Sequence, residues 1–295
     1  MFEKLTERVR VVVTEEGFTY GNGVLVEDSV RVMLDSGMGR LVSAVNPERV
    51  DILINSHCHI DHISGNDHFS NAVIMAHPIE KESMLDPEMT TATKGWERLM
   101  DADRESRAMD IGILNPRYRE PWRVDRVLHG DESVDCGRTT FTVLHTPGHT
   151  AGHLAFWFPD EEFLFTADIC LSKVGPWYGD PAIKLEDFLK SIDRIVELKP
   201  RYVATGHIPR IIDKDIPQLF RQYAGRIEKR EQRILDMLKE KPHSLDTLAA
   251  RRPIYREHPS AFVVFWEKSM ILKHLELLMD RGQVHLQGDD RYAIH

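Results

Sequence analysis

The chain has 295 residues, 42% of them hydrophobic and 29% charged, and carries a formal net charge of −9. That length fits one large domain with a small one, or two medium ones, and the acidic balance argues against a surface built as a whole to hold nucleic acid. No apolar run nears the roughly 20 residues of a membrane span, and Met1-Phe2-Glu3-Lys4-Leu5 lacks the apolar core of a signal peptide, so a cytoplasmic protein is expected. Cys58, Cys136 and Cys170 have no paired spacing, which excludes a disulfide framework and a cysteine-based zinc finger.

In chain order, Val11–Val13, Val24–Val26 and Val30–Leu34 read as strands, the last two joined as a hairpin by Glu27-Asp28-Ser29. Asp35-Ser36-Gly37 supplies the turn that ends it. Asp51–Asn55 is apolar on both faces, as expected of a strand inside a layered sheet. It runs directly into His57-Cys58-His59-Ile60-Asp61-His62, a loop held by a buried strand. Residues 78–125 then turn charged, Met-rich and helix-forming, with Trp96, Leu99, Met100, Met109 and Ile113 at partly helical spacing. This block reads as a helical insertion: a lid, a subunit contact or a plain surface excursion.

Strand patterns resume at Thr139–Leu144, His153–Phe158 and Glu162–Thr166. Leu185–Leu198 is an amphipathic helix with Phe188, Leu189, Ile192, Ile195 and Val196 on one face. Arg201–Thr205 is a further strand, ending at Gly206-His207. Helices over about Pro217–Lys239, Ser244–Arg251 and Glu267–Arg281 precede a hairpin of Gln283–Leu286 with Arg291–Ile294. Three helices and a two-stranded wing are the pattern of a winged helix, so the expected division is a catalytic unit over 1–228 and an accessory unit over 229–295.

The chemistry gathers at strand ends. In extended backbone His57 and His59 point the same way and can converge on one metal ion; Asp61 and His62, on a turning backbone, can face a second. Three histidines and an aspartate within six positions are hard to explain as packing. His149, in the Gly/Pro-punctuated loop Thr146-Pro147-Gly148-His149-Thr150-Ala151-Gly152-His153, adds a nitrogen, while Asp168 and His207 end two more strands. Together these residues make two nitrogen-rich groups and a carboxylate able to bridge them.

His-x-His-x-Asp-His, Thr-Pro-Gly-His-Thr-x-Gly-His, Thr-Ala-Asp and Thr-Gly-His, in this order, resemble the metallo-β-lactamase superfamily over about Gly23 to Ile208. The resemblance implies an α/β fold, the αββα sandwich, with metals at one edge. It implies His57, His59 and His149 on one metal, Asp61, His62 and His207 on the other, and Asp168 between them. The pattern is similar to glyoxalase II and lactonase-like hydrolases, and true β-lactamases depart from it at the bridging aspartate. Two divalent ions, zinc foremost with iron or manganese as alternatives, would lower the pKa of water towards about 7. Asp61 would orient that nucleophile towards a small-molecule thioester, lactone or ester. Two other activities stay open: endoribonuclease or phosphodiesterase cleavage of RNA, and a mononuclear iron reaction of the persulfide dioxygenase kind.

Weaker candidates surround these ligands. Trp177 and Tyr178, in Gly175-Pro176-Trp177-Tyr178-Gly179, are expected to line the substrate cleft, with Tyr178 offering its hydroxyl to an oxyanion, or else to pack their own loop. Cys170 reads as a small buried hydrophobe, Cys58 as core, and His153 as a support for the ligands. His77 ends a strand near the cleft. Lys/Arg and Asp/Glu number seven each from Ser244 to His295, and a phosphate-binding face should be clearly basic. The tail therefore reads as an element for packing, homodimerisation or covering the cleft.

Overall fold

A computed structural model describes residues 1–15, 19–86, 99–100 and 120–295. Most of the expected 78–125 insertion, with Trp96, Met109 and Ile113, lies outside the described residues.

Two sheets form the body of the protein. The first runs β1 (Phe2–Lys4), β2 (Val9–Val12), β3 (Gly23–Val26), β4 (Val32–Leu34), β5 (Ile52–Ile54), β6 (Val73–Ala76) and β7 (Arg126–Val127) in spatial order. It is antiparallel up to β4 and parallel from there on. The second contains β8 (Ser133–Asp135), β9 (Thr140–His145), β10 (Leu154–Phe158), β11 (Phe163–Phe165) and β12 (Tyr202–Ala204), ordered β12-β11-β10-β9-β8.

Side-chain alternation sorts the residues into layers. Val9, Val11, Val24, Val26, Val32 and Leu34 meet Phe141, Val143, Phe156, Phe158, Phe163 and Phe165 in one buried cluster between the sheets. Each fully buried phenylalanine of that cluster contributes about 1.5–3 kcal/mol. The alternate residues Val12, Leu25, Met33, Leu53 and Ile74 pack outward against Val42, Val45 and Phe69. On the opposite outer face, Leu144, Ala155, Leu164 and Val203 lie in one cluster with Phe188, Ile192 and Ile195 of α3 (Leu185–Glu197). This is the αββα sandwich, and the expected β3–β4 hairpin is present in register Val24↔Leu34.

Two short helices serve the site: α1 (Ile60–Ile63) and α2 (Pro78–Leu85). Beyond the sandwich come α4 (Ile216–Glu240), α5 (Leu245–Ala250), α6 (Ala261–Asp280) and a small sheet of β13 (His243–Ser244), β14 (Val284–Gln287) and β15 (Arg291–Ile294). Helix α4 buries Phe220, Tyr223, Ile227, Arg230, Ile234 and Leu238 at helical spacing and passes unbroken through the expected 228/229 boundary. Residues of α4, α6 and β14 share one core with α3. Helix α6 starts six residues before the expected Glu267, because Ser260 caps it by accepting from the Val263 amide; the unbroken apolar run 261–266 hides the helical period.

The charges of α6 are partly internal. Glu267 is fully buried and accepts from the Ile254 and Tyr255 amides, while buried Lys273 donates to the Pro181 and Ile183 carbonyls. Among the described residues no helix is long and apolar enough to cross a membrane. The three cysteines are buried, each in a different cluster.

Candidate metal centre

Strand β5 delivers the first ligands. Beyond it the backbone bends over Ser56–Cys58, is extended at His59 (φ −67°, ψ 144°), then coils into α1. The bends leave the His57 and His59 rings 4.6 Å apart, and the turn of α1 carries Asp61 and His62 into a second group. The loops after β9, β11 and β12 bring in His149, Asp168 and His207. Two groups of donor atoms result, each with its members within 4.8 Å of one another: His57, His59, His149 and Asp168, and Asp61, His62 and His207. All seven residues singled out as ligands in the sequence therefore come together.

Asp168 spans both groups. Its Oδ1 lies 3.0 Å from His62 Nε2 and 3.2 Å from His207 Nε2, and its Oδ2 lies 3.2 Å from His149 Nε2. Asp61 Oδ2 is 3.3 Å from His207 Nε2 and 3.8 Å from His62 Nε2. Yet His57 Nε2, His62 Nε2 and Asp168 Oδ1 are buried without a hydrogen-bond partner among the described residues. His62 Nε2 and Asp168 Oδ1 stand 3.0 Å apart yet out of hydrogen-bond alignment. Orphaned buried polar atoms of this kind cost about 1–3 kcal/mol each. Nitrogen and carboxylate ligands converging in this way fit divalent ions of the zinc class.

A supporting layer fixes the rings. Asp35 accepts from the Ser56 amide at 2.7 Å and from its hydroxyl at 2.8 Å, and its Oδ2 lies 2.8 Å from His62 Nδ1. Ser56 Oγ is in turn 2.9 Å from His57 Nδ1. One buried carboxylate thus orients a histidine of each group, leaving both Nε2 atoms free to hold a metal ion. Glu80 of α2, 1% exposed, accepts from the Cys58 amide, the Thr150 hydroxyl and the Gly152 amide at 2.7–2.8 Å, tying the His57–His59 loop to the His149 loop. Neither residue is among the sequence candidates: Asp35 reads as turn chemistry, and Glu80 lies in a segment read only as an insertion. His153 is the expected support, Nδ1 bonded to Thr146 Oγ1 and Nε2 accepting from the Asp168 amide. Burial holds it neutral, its pKa pushed down to about 3.

The electrostatics divide the histidines. Burial, with neighbouring imidazoles, keeps His57 well below the usual histidine range, and burial likewise dominates at His149. Burial also opposes charge on His62 and His207, but Asp168, Asp35 and Asp61 outweigh it at His62, pushed up to about 10. At His207, Asp168 and Asp61 outweigh it and raise the value to about 12. Asp168 is held well below the carboxylate range, burial being overcome by His207, His62 and His149; these shifts describe one shared ion cluster. Because His62 and His207 rise above the unfolded value of about 6.5, their stabilisation of the metal-free fold is fully present below that pH and disappears as pH climbs through about 10 to 12. Chelator-treated protein should therefore lose Tm between pH 7 and 10 more steeply than metal-loaded protein, in which the metals replace those protons. Parallel Tm–pH profiles for the two forms would contradict it.

The weaker candidates separate. The Trp177 ring sits edge-on to His59 and His149, at centroid distances of 5.5 and 5.1 Å, beside the donor groups. Tyr178 points away: it is fully buried, with its hydroxyl 2.7 Å from His274 Nε2 and 3.2 Å from Arg230, so it does not offer that hydroxyl to an oxyanion in the cleft. Cys170 and His77 join neither donor group. His77 stacks on His145 at 4.4 Å, and Cys170 is buried with its sulfur 4.0 Å from Tyr223 Oη.

The sequence profile described as "Metallo-beta-lactamase superfamily" matches residues 17–207. The chain belongs to this superfamily. Within it, a Beta-lactamase-like protein 2 homolog from Caenorhabditis elegans is 25% identical over 220 residues, which is 75% of this chain and 62% of that protein. The match thus spans less than two thirds of that relative. A hydroxyacylglutathione hydrolase from Hyphomonas neptunium is 49% identical over a stretch of 45 residues, 15% of this chain and 18% of its own. Among solved structures, the metallo-beta-lactamase family protein TTHA1429 from Thermus thermophilus superposes with a TM-score of 0.77 at 23% identity, covering 99% of this chain and 100% of that one. That likeness extends the shared fold through the C-terminal helices.

Proposed function

We propose that this superfamily member is a dinuclear metal-dependent hydrolase of a small thioester, lactone or ester, with His57, His59 and His149 holding one ion, Asp61, His62 and His207 the other, and Asp168 between them. The observation that carries the reading is Asp168, whose two carboxylate oxygens face different donor groups. Two divalent ions, zinc foremost, would supply an activated water with a pKa near 7 and polarise the substrate carbonyl. The chain's own residues set the rest. His57 and His149, held neutral by burial, present lone pairs rather than protons. Asp35 keeps the His62 ring turned with Nε2 inward. Asp61, the most solvent-accessible carboxylate of the set, would orient the attacking water. Trp177 gives the rim an apolar wall that sheds water from the acyl group. The short stretch shared with a hydroxyacylglutathione hydrolase favours an acyl-thioester among the three substrate classes.

A panel of acyl-thioesters, lactones, esters, single-stranded RNA and a glutathione persulfide tests the reading. Chelator-sensitive turnover is expected on a carbonyl substrate, with kcat/KM of at least about 10⁴ M⁻¹s⁻¹ on a good one. RNA cleavage, or oxygen consumption on the persulfide with a single iron bound, would replace it with the phosphodiesterase or dioxygenase alternative.

A further inference from the structure

Outside the donor groups, Arg230 is a buried charge that the proposed chemistry leaves unused, on the inner face of α4 and 3% exposed. It makes no ion pair among the described residues. Its guanidinium is spent instead on one loop: one nitrogen donates to the Pro176 carbonyl at 2.6 Å and to the Tyr178 hydroxyl at 3.2 Å, and the other donates to the Val174 carbonyl at 2.9 Å. The guanidinium carbon also stands 5.5 Å from the centre of the Tyr178 ring. The same Tyr178 hydroxyl is also bonded to His274 of α6. Between the two clamped carbonyls lies Gly175 in a left-handed conformation (φ 95°), where an added Cβ would come within 2.5 Å of Arg226 Cδ. The loop is therefore pressed against α4 with no room for a side chain.

The residue between the clamped positions 176 and 178 is Trp177, and its carbonyl lies 3.3 Å from His149 Nδ1. A backbone acceptor there holds the proton on Nδ1 and leaves Nε2 with its lone pair aimed at the metal. Two turns earlier on the same face of α4, the Tyr223 hydroxyl donates to the Asp168 carbonyl at 3.3 Å. Helix α4 thus touches the backbone of the bridging ligand and, through the loop, the ring of a terminal one.

We infer that Arg230 is a positioning residue of the metal centre: by clamping the 174–178 loop it holds the Trp177 carbonyl against His149 and so sets the affinity of the His57–His59–His149 site. The inference rests on the proposed ligand assignment. It gives the C-terminal helices a role that the charge count leaves open, as the backing of the ligand loops. Lysine at this position keeps the charge but replaces two separate guanidinium nitrogens, one on Pro176 and Tyr178 and the other on Val174, with one compact ammonium, so the planar two-nitrogen clamp is lost.

Chelator competition with Zn²⁺ on the full-length protein resolves the prediction, because it reads two dissociation constants per chain. In Arg230→Lys one constant should weaken by about ten- to a hundredfold, the range seen for residues that orient metal ligands, while the other changes less than threefold. The cobalt(II) ligand-field spectrum of the weakened site should change with it, and kcat should fall with KM retained. Arg230→Gln, which keeps two donors and removes the charge, serves if the lysine variant does not fold, and should weaken the same site. Two constants equal to wild type would overturn the inference, as would equal weakening of both in step with Tm, the mark of a purely structural arginine. A wild-type protein that binds no metal would overturn the ligand assignment itself.

Discussion

Asp168→Asn should reduce metal content from about two ions per chain to one or fewer and lower kcat/KM by about three orders of magnitude, or ~4 kcal/mol of transition-state stabilisation. Asparagine keeps the shape of aspartate but carries one acceptor oxygen and no charge. Whichever way the amide turns, an NH₂ group faces either His149 or the His62–His207 pair, where the wild type presents oxygen to both. The substitution also strips His62 and His207 of the carboxylate that most raises their pKa, so the metal-free variant should bind fewer protons at neutral pH. Elemental analysis and steady-state kinetics on one preparation test both halves. Full metal content with a kcat/KM within tenfold of wild type would remove Asp168 from its bridging place.

The second large effect belongs to Glu80. Glu80→Ala orphans three buried donors at once, the Cys58 and Gly152 amides and the Thr150 hydroxyl. Each orphaned group costs about 1–3 kcal/mol and the terms are not additive, so a loss of about 3–5 kcal/mol in chemical denaturation is expected. Glu80→Gln should cost about half as much, since its oxygen still serves one loop while its NH₂ confronts a donor from the other. Because Cys58 lies between two of the proposed ligands and Thr150 follows a third, activity at limiting metal should fall further than stability alone explains and recover partly at excess metal. A stable variant with wild-type metal affinity would show that the two loops hold their ligands without this tie.

Much of the molecule is legible from residue order because its layers follow simple periods. The Asp51–Asn55 run announces a buried strand; Val24–Val26 and Val30–Leu34 announce a hairpin; Phe188, Ile192 and Ile195 announce the face of α3. The ligands are legible for a related reason: each stands just past a strand end, where few structural demands call for a histidine or aspartate. What sequence does not reveal depends on contacts between distant segments. Asp35 ends a strand at φ 59°, which local chemistry explains as a turn, yet its carboxylate reaches Ser56 and His62 more than twenty residues away. Glu80 has the ordinary composition of an exposed helix and becomes a buried acceptor only because α2 folds over two loops. Tyr178 looks like a cleft hydroxyl until Arg230 and His274, 52 and 96 residues further along the chain, enclose it. Glu267 and Lys273 enter a charge count as surface groups but bond to backbone inside the protein.

The central claim is that two metal ions sit either side of one carboxylate, and anomalous diffraction at the zinc edge, from crystals of protein purified without added metal and then loaded with Zn²⁺, tests it most directly. The account predicts two anomalous peaks per chain, one within about 2.0–2.2 Å of ligand atoms from His57, His59 and His149 and one equally close to Asp61, His62 and His207, with Asp168 reaching both. A single peak, or peaks away from Asp168, would contradict it.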